Sequence, residues 1–145
     1  MTTPSLTLVK RMKAPRARVW QAWTRPELMA LWFGPHHTRA EETESELRLG
    51  GRFRVALRED TGLRHEVSGQ YLEIEPERRL VFDWAWTSTS ERVSRVTVVL
   101  REVAEGTEVT LTHDRFADTE TATRHTRGWT ESLERLAAHF DRGPG

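Results

Sequence analysis

Cysteine is absent from the 145 residues. That excludes disulfides, thiolate metal sites and a cysteine nucleophile, and it fits a reducing compartment such as the cytoplasm. Net charge of either sign is absent as well: 22 Lys+Arg balance 22 Asp+Glu. No overall field therefore draws the molecule to nucleic acid or to an anionic membrane surface. No apolar run approaches the length of a membrane span, and the one near Met1 is too short for a signal-peptide core, so membrane insertion is not expected. Tyrosine is down to one residue, whereas tryptophan occurs six times. Indole buries a large area and brings an N–H that needs a partner. A chain of this length with so much indole has either a bulky core or an aromatic-lined pocket.

The length suits a single domain, residues 1–145 with a core from about 5 to 141. Leu6 to Met12 alternates weakly and reads as a strand. Pro15 is suited to the first position of a helix in which Val19, Trp20 and Trp23 recur at helical spacing. Thr24-x-x-Glu27, with Pro26 between, has the form of a capping box and predicts a second short helix carrying Leu28, Leu31 and Trp32, ended by Gly34-Pro35. From Thr38 to Asp114 the period becomes two, with breaks at Gly50-Gly51, Asp60 to Gly62, Pro76, Ser88 to Ser90 and Glu105-Gly106. Asp118 is placed to cap a last helix running to about Asp141, with Ala122, Thr126, Trp129, Leu133, Leu136 and Phe140 on one face.

The expected fold class is therefore α+β of helix-grip type. A curved antiparallel β-sheet of about six to seven strands wraps a long C-terminal α-helix, with two short helices after the first strand. One helix does not cover the concave face of so wide a sheet, so a gap of about 300 Å³ or more is expected between Trp129 and the inner face.

The same alternation nominates the residues around that gap: Phe53 and Val55, His65, Val67 and Tyr71, Phe82, Trp84 and Trp86, Val96 and Val98, Leu111 and His113, and from the helices Trp32, Trp129 and Leu133. Each has a plainer reading as core, and Trp20, Trp23 and Trp32 in particular read as anchors of the short helices to the sheet. Gly128 beside Trp129 means either close helix-to-sheet approach or spare room. An inward His65 or His113 would orient a ligand oxygen or act near neutral pH, or else be a hydrogen-bonded core histidine. With no paired nucleophile in view, no residue is assigned a catalytic role. His36-His37 lacks the spacing of a zinc site, and no metal is expected. Arg52, Arg54 and Arg58 face the acidic segment Glu41, Glu42, Glu44 and Glu46, which predicts cross-strand ion pairs rather than a phosphate site. No phosphate-binding glycine loop is present, and no cofactor is expected. The Phe33-Gly34-Pro35 loop is a candidate gate at the mouth of the gap.

The run VWQAWTRPELMALWFGP at 19–35 resembles the opening signature of the SRPBCC or START-like superfamily, in its branch similar to the activator of the heat shock protein 90 ATPase. LRLGGRF at 47–53, GQYLEIEPERRLVFDW at 69–84, GTEVTLTHDRF at 106–116 and GWTESLERLAAHF at 128–140 resemble further segments of that family in order. The resemblance implies a helix-grip fold whose central cavity holds a small hydrophobic molecule as carrier, sensor or sink. Two other functions stay open: a cavity enzyme of cyclase, aromatase or hydrolase type, and a co-chaperone-like interaction domain or homodimer.

Overall fold

The computed structural model describes residues 3–141. Seven strands, β1 (Leu6–Met12), β2 (Thr38–Ser45), β3 (Arg52–Glu59), β4 (Arg64–Glu75), β5 (Arg79–Trp86), β6 (Ser94–Val103) and β7 (Gly106–Asp114), form one antiparallel sheet. The helices are α1 (Arg16–Thr24), α2 (Pro26–Trp32) and α3 (Thr119–Asp141). The sheet order is β1-β7-β6-β5-β4-β3-β2. Strands β2 to β7 are thus one meander, each paired with its successor across a short turn. β1 pairs with β7, Leu8 opposite Leu111, and α1 and α2 carry the chain from β1 across to β2 at the opposite edge of the sheet. The sheet curls around α3, the helix-grip arrangement that the family resemblance implies.

The core lies between the concave face and α3. Val55, Val67, Val96, Val98 and Leu111 from the strands, and Trp129, Leu133, Leu136 and Phe140 from α3, are all buried. Burial of each such side chain is worth about 1.5–3 kcal/mol against the cost of ordering the chain. Trp23 and Trp32 bring α1 and α2 into the same core, their rings 4.6 Å apart and Trp23 5.9 Å from Trp129. The Trp32 indole N–H donates to the Ala22 carbonyl at 2.9 Å.

Local signals differ from the structure at two kinds of place. The capping box does not form: Arg25 is the cap of α2, and the Thr24 hydroxyl donates backward to the Trp20 carbonyl at 2.8 Å. Pro26 separates the helices so tightly that Thr24 still belongs to α1. At the other helix the expectation holds, with the Thr121 amide donating to Asp118 Oδ1 at 2.8 Å. Two register shifts, between Ala40 and Glu42 and between Tyr71 and Glu73, break the strict alternation. Bulges of this kind bend a strand and increase its twist.

Gly69 shows why the bend needs a residue without a side chain. A Cβ there would sit 1.9 Å from the Asp83 carbonyl oxygen of β5, an obstruction made of backbone. Gly69→Ala is expected to cost about 1–3 kcal/mol, in the range for strained or overpacked sites, read from the shift in denaturation midpoint.

On the convex face, Arg54 bonds Glu42, Glu44 and Glu66, each at 2.9 Å, and Arg58 bonds Glu41. Arg64 joins the same network through Glu41, Glu42 and Glu66. These cross-strand pairs cover β2, an edge strand that also carries a bulge, both of which blunt edge-to-edge association.

Candidate functional site

The helix does not cover the sheet to its end. Beyond Trp129 a cleft of about 930 Å³, open to solvent, lies between the first half of α3, the ends of β3, β4 and β5, and the segment from Thr87 to Ser94. Its aromatic wall is Phe33, Trp84, Trp86 and Trp129, with Leu57 and Phe116 beside them. Phe33 stacks on Trp84 at 5.9 Å, and Trp84 meets Trp86 edge-on at 5.5 Å. Polar side chains ring the mouth, among them Glu59 and His65, which bond each other. That hydrogen bond holds the Glu59 carboxyl below its usual range.

Helix α3 contributes a second stripe beside its apolar one. Thr121, Arg124, His125, Gly128 and Ser132 all line the cleft, at the spacing of a single helical face. A Cβ added to Gly128 would meet nothing within 4 Å. The glycine is therefore not there for close helix-to-sheet approach; it leaves room.

His125 sits between the helix and the indoles. Its Nδ1–H donates to the Thr121 carbonyl at 2.8 Å, which leaves Nε2 as an acceptor. Both Trp86 Nε1–H, at 3.0 Å, and Trp84 Nε1–H, at 3.3 Å, point at that nitrogen. Burial pushes the imidazole pKa down, in keeping with a neutral ring.

His113 lies one layer deeper and is fully buried. Its Nε2 is 2.7 Å from Ser94 Oγ, the approach of a Ser–His pair, and Ser94 lines the cleft. The third partner inverts the chemistry. Trp129 Nε1–H, which is only a donor, bonds His113 Nδ1 at 3.0 Å, so the ring proton resides on Nε2 and is donated to Ser94. The Ser94 hydroxyl in turn donates to the Trp84 carbonyl at 3.2 Å. A general base for serine would need a free Nε2 lone pair and an acceptor at Nδ1. The observed chain runs the other way and ties α3, β5, β6 and β7 together. Burial, with a contribution from neighbouring His125, pushes the His113 pKa down to about 2.

The Phe33-Gly34-Pro35 loop forms one wall of the cleft and is fastened to α3. The Gly34 amide donates to Ser132 Oγ at 3.1 Å, and Arg135 Nη1 donates to the carbonyls of Gly34, Pro35 and Thr38 at 3.1, 3.3 and 3.2 Å. Gly34 has φ +105°, a conformation open to glycine, and a Cβ there would press on Thr38 and Leu57. Partial burial lowers the Arg135 pKa.

The fold and this helix–sheet geometry match those of known proteins. The family model described as Activator of Hsp90 ATPase homolog 1-like protein matches residues 13–141. The chain belongs to that family. An AHSA1 protein of Silicibacter pomeroyi is 24% identical with a TM-score of 0.85, covering 95% of this chain and 98% of its own. A Chromobacterium violaceum protein is 24% identical with a TM-score of 0.84, covering 93% and 96%. The solution structure of an AHSA1-like protein from Aeromonas hydrophila is 21% identical with a TM-score of 0.79, covering 96% and 93%. At these identities the likeness is one of fold. No curated protein matches the chain.

Within this Activator of Hsp90 ATPase homolog 1-like fold, the residues nominated from sequence separate into two groups. Trp84, Trp86, Trp129 and His65 line the cleft. Trp32, Val55, Val67, Tyr71, Phe82, Val96, Val98, Leu111, His113 and Leu133 do not; they are buried in the core beneath it, and Phe53 packs with Tyr71 and Phe82. Alternation marks the inner face of a strand but not the point along it at which the helix stops covering the sheet. Apolar periodicity does not mark His125 or Ser132 as cleft residues, and it marks Ser88 to Ser90 only as a break between strands, not as a wall of the cleft. The signal for the first two was the spacing of His125, Gly128 and Ser132, next to the apolar stripe. His37 lines the cleft and the His36 amide bonds Glu131 at 3.1 Å. Among the described residues no three His, Asp or Glu side chains gather as a metal site requires. None of the described helices is long and apolar enough to cross a membrane.

Proposed function

We propose that the protein binds a small, largely apolar molecule in the cleft between Trp84, Trp86 and the Gly128 face of α3. The family's curled sheet and grip helix are compatible with ligand binding. The observation that carries the reading is the open space over Gly128. Glycine inside a helix costs about 1 kcal/mol relative to alanine, and here no neighbour demands it. A stability cost with no packing reason, placed opposite two indoles, is what a site for another molecule requires. Contact with Phe33, Trp84, Trp86 and Trp129 would supply binding at about 25 cal/mol per Å² of apolar area removed from water. A non-catalytic role suits the Ser94–His113 pair, whose proton lies on the wrong nitrogen for base chemistry.

Gly128→Leu separates this reading from a purely structural one. The variant is expected to be more stable than the parent by about 0.5–1 kcal/mol, from helix propensity. It should also bind the fluorescent probe N-phenyl-1-naphthylamine at least about tenfold more weakly, since the new side chain occupies the space. Equal affinity in both proteins, or no saturable binding to the parent, would overturn the proposal.

A further inference from the structure

The polar atoms at the base of the cleft do not balance. His125 Nε2 offers one lone pair, because Nδ1 carries the proton that goes to Thr121. Two indole N–H groups, from Trp84 and Trp86, converge on it. A single in-plane lone pair satisfies one donor well, so the cleft holds an N–H donor in excess. Of the two, Trp86 is the more accessible, half-buried where Trp84 is buried. The rim carries charge of both signs: Glu91 and Arg115 line the cleft beside Arg92, which lies 3.9 Å from Asp118. Arg64 is taken up by Glu41, Glu42 and Glu66, and Arg124 by Glu120.

Resting on the binding function above, we infer that the ligand carries a hydrogen-bond acceptor, a carbonyl or carboxylate oxygen, which takes the Trp86 indole N–H and leaves Trp84 paired with His125. The ligand class is then an apolar body ending in an acyl group. A donor-only head, such as an alkylammonium, meets two N–H groups and finds no free acceptor among them. Trp86 is thereby a specificity-determining residue, and its ring and its N–H have separable roles.

Three probes with one body test this: 4-phenylbutyrate, 4-phenylbutyramide and 4-phenylbutylamine, titrated into ¹⁵N-labelled protein with the indole N–H resonances observed. The carboxylate and the amide are expected to move the Trp86 resonance and to bind at least fivefold to tenfold more tightly than the ammonium, the worth of about one hydrogen bond. A carboxylate that exceeds the amide identifies an acid as the natural head group; equality identifies a neutral carbonyl. In Trp86→Phe, which keeps an aromatic ring and loses the N–H, the preference over the ammonium should vanish. Equal binding of all three probes, or a preference that survives Trp86→Phe, overturns the acceptor assignment while the apolar cleft stands. No binding of any of the three, with the Trp86 resonance unmoved, also overturns it. In that case retained N-phenyl-1-naphthylamine binding that Gly128→Leu abolishes shows that only the head group was wrong.

Discussion

Trp129→Ala is expected to destabilise the protein by about 3–5 kcal/mol, the range for removal of a large aromatic side chain from a packed interior. Trp129 is buried, and its ring lies 5.1 Å from Trp84, 5.7 Å from Phe33 and 5.9 Å from Trp23. It is the side chain through which α3 grips both the short helices and the sheet. Its N–H adds a second loss, since without it the buried His113 Nδ1 has no donor. Trp129→Phe isolates that part: most of the apolar contact stays, and the unpaired acceptor should account for about 1–3 kcal/mol. Chemical denaturation of the parent and both variants reads these values. A Trp129→Phe variant as unstable as Trp129→Ala would mean that the hydrogen bond, rather than ring packing, holds the helix.

Stability should fall by about 3 kcal/mol between pH 7.5 and pH 4.5 on account of His113 alone. The unfolded chain binds a proton at this residue near pH 6.5, whereas in the folded protein burial holds the pKa at about 2. A folded-state pKa below the unfolded one means that the unfolded state takes up the extra proton as pH falls. The contribution is therefore complete above pH 6.5 and is lost progressively below it, at about 1.4 kcal/mol per pH unit. His125, whose pKa is lowered in the same direction by burial, adds to the loss. Glu41 and Glu59, held below their ordinary values by Arg58 and His65 respectively, contribute only at more acidic pH. His113→Gln removes one titrating group, and its stability should depend on pH less steeply by about one proton over this window. An unchanged slope would show that His113 is protonated in the folded protein, which would contradict the hydrogen-bond chain through Trp129 and Ser94.

Both effects come from a part of the molecule that the sequence reveals unevenly. The strands of the meander, the two short helices and the cap of α3 at Asp118 are legible because each is a local matter of period, turn residue or cap. The ion pairs of Arg54 and Arg58 with the acidic β2 strand are legible for the same reason: neighbouring strands of a hairpin put opposite charges side by side. Thr24 misleads because two local rules compete for it, a capping box ahead and a helix carbonyl behind, and the tight Pro26 junction favours the second. His113 is legible as inward from its place beside Val109 and Leu111. Its protonation is not, because that depends on Trp129, a residue brought in by a different element.

The order of elements, the inner face of each strand and the apolar stripe of the last helix all follow from periodicity along a continuous chain, and so can be read from the residues alone. Which stretch of that inner face is covered depends on how the sheet bends in three dimensions. The curl of the sheet, set by the bulges at Glu41 and Leu72 and by close approach at Gly69, brings Val55, Val67 and Leu111 under α3 and leaves Trp84 and Trp86 beside open space. Residues of identical parity thus become core or cleft according to their distance along a bent strand, a quantity that alternation does not encode.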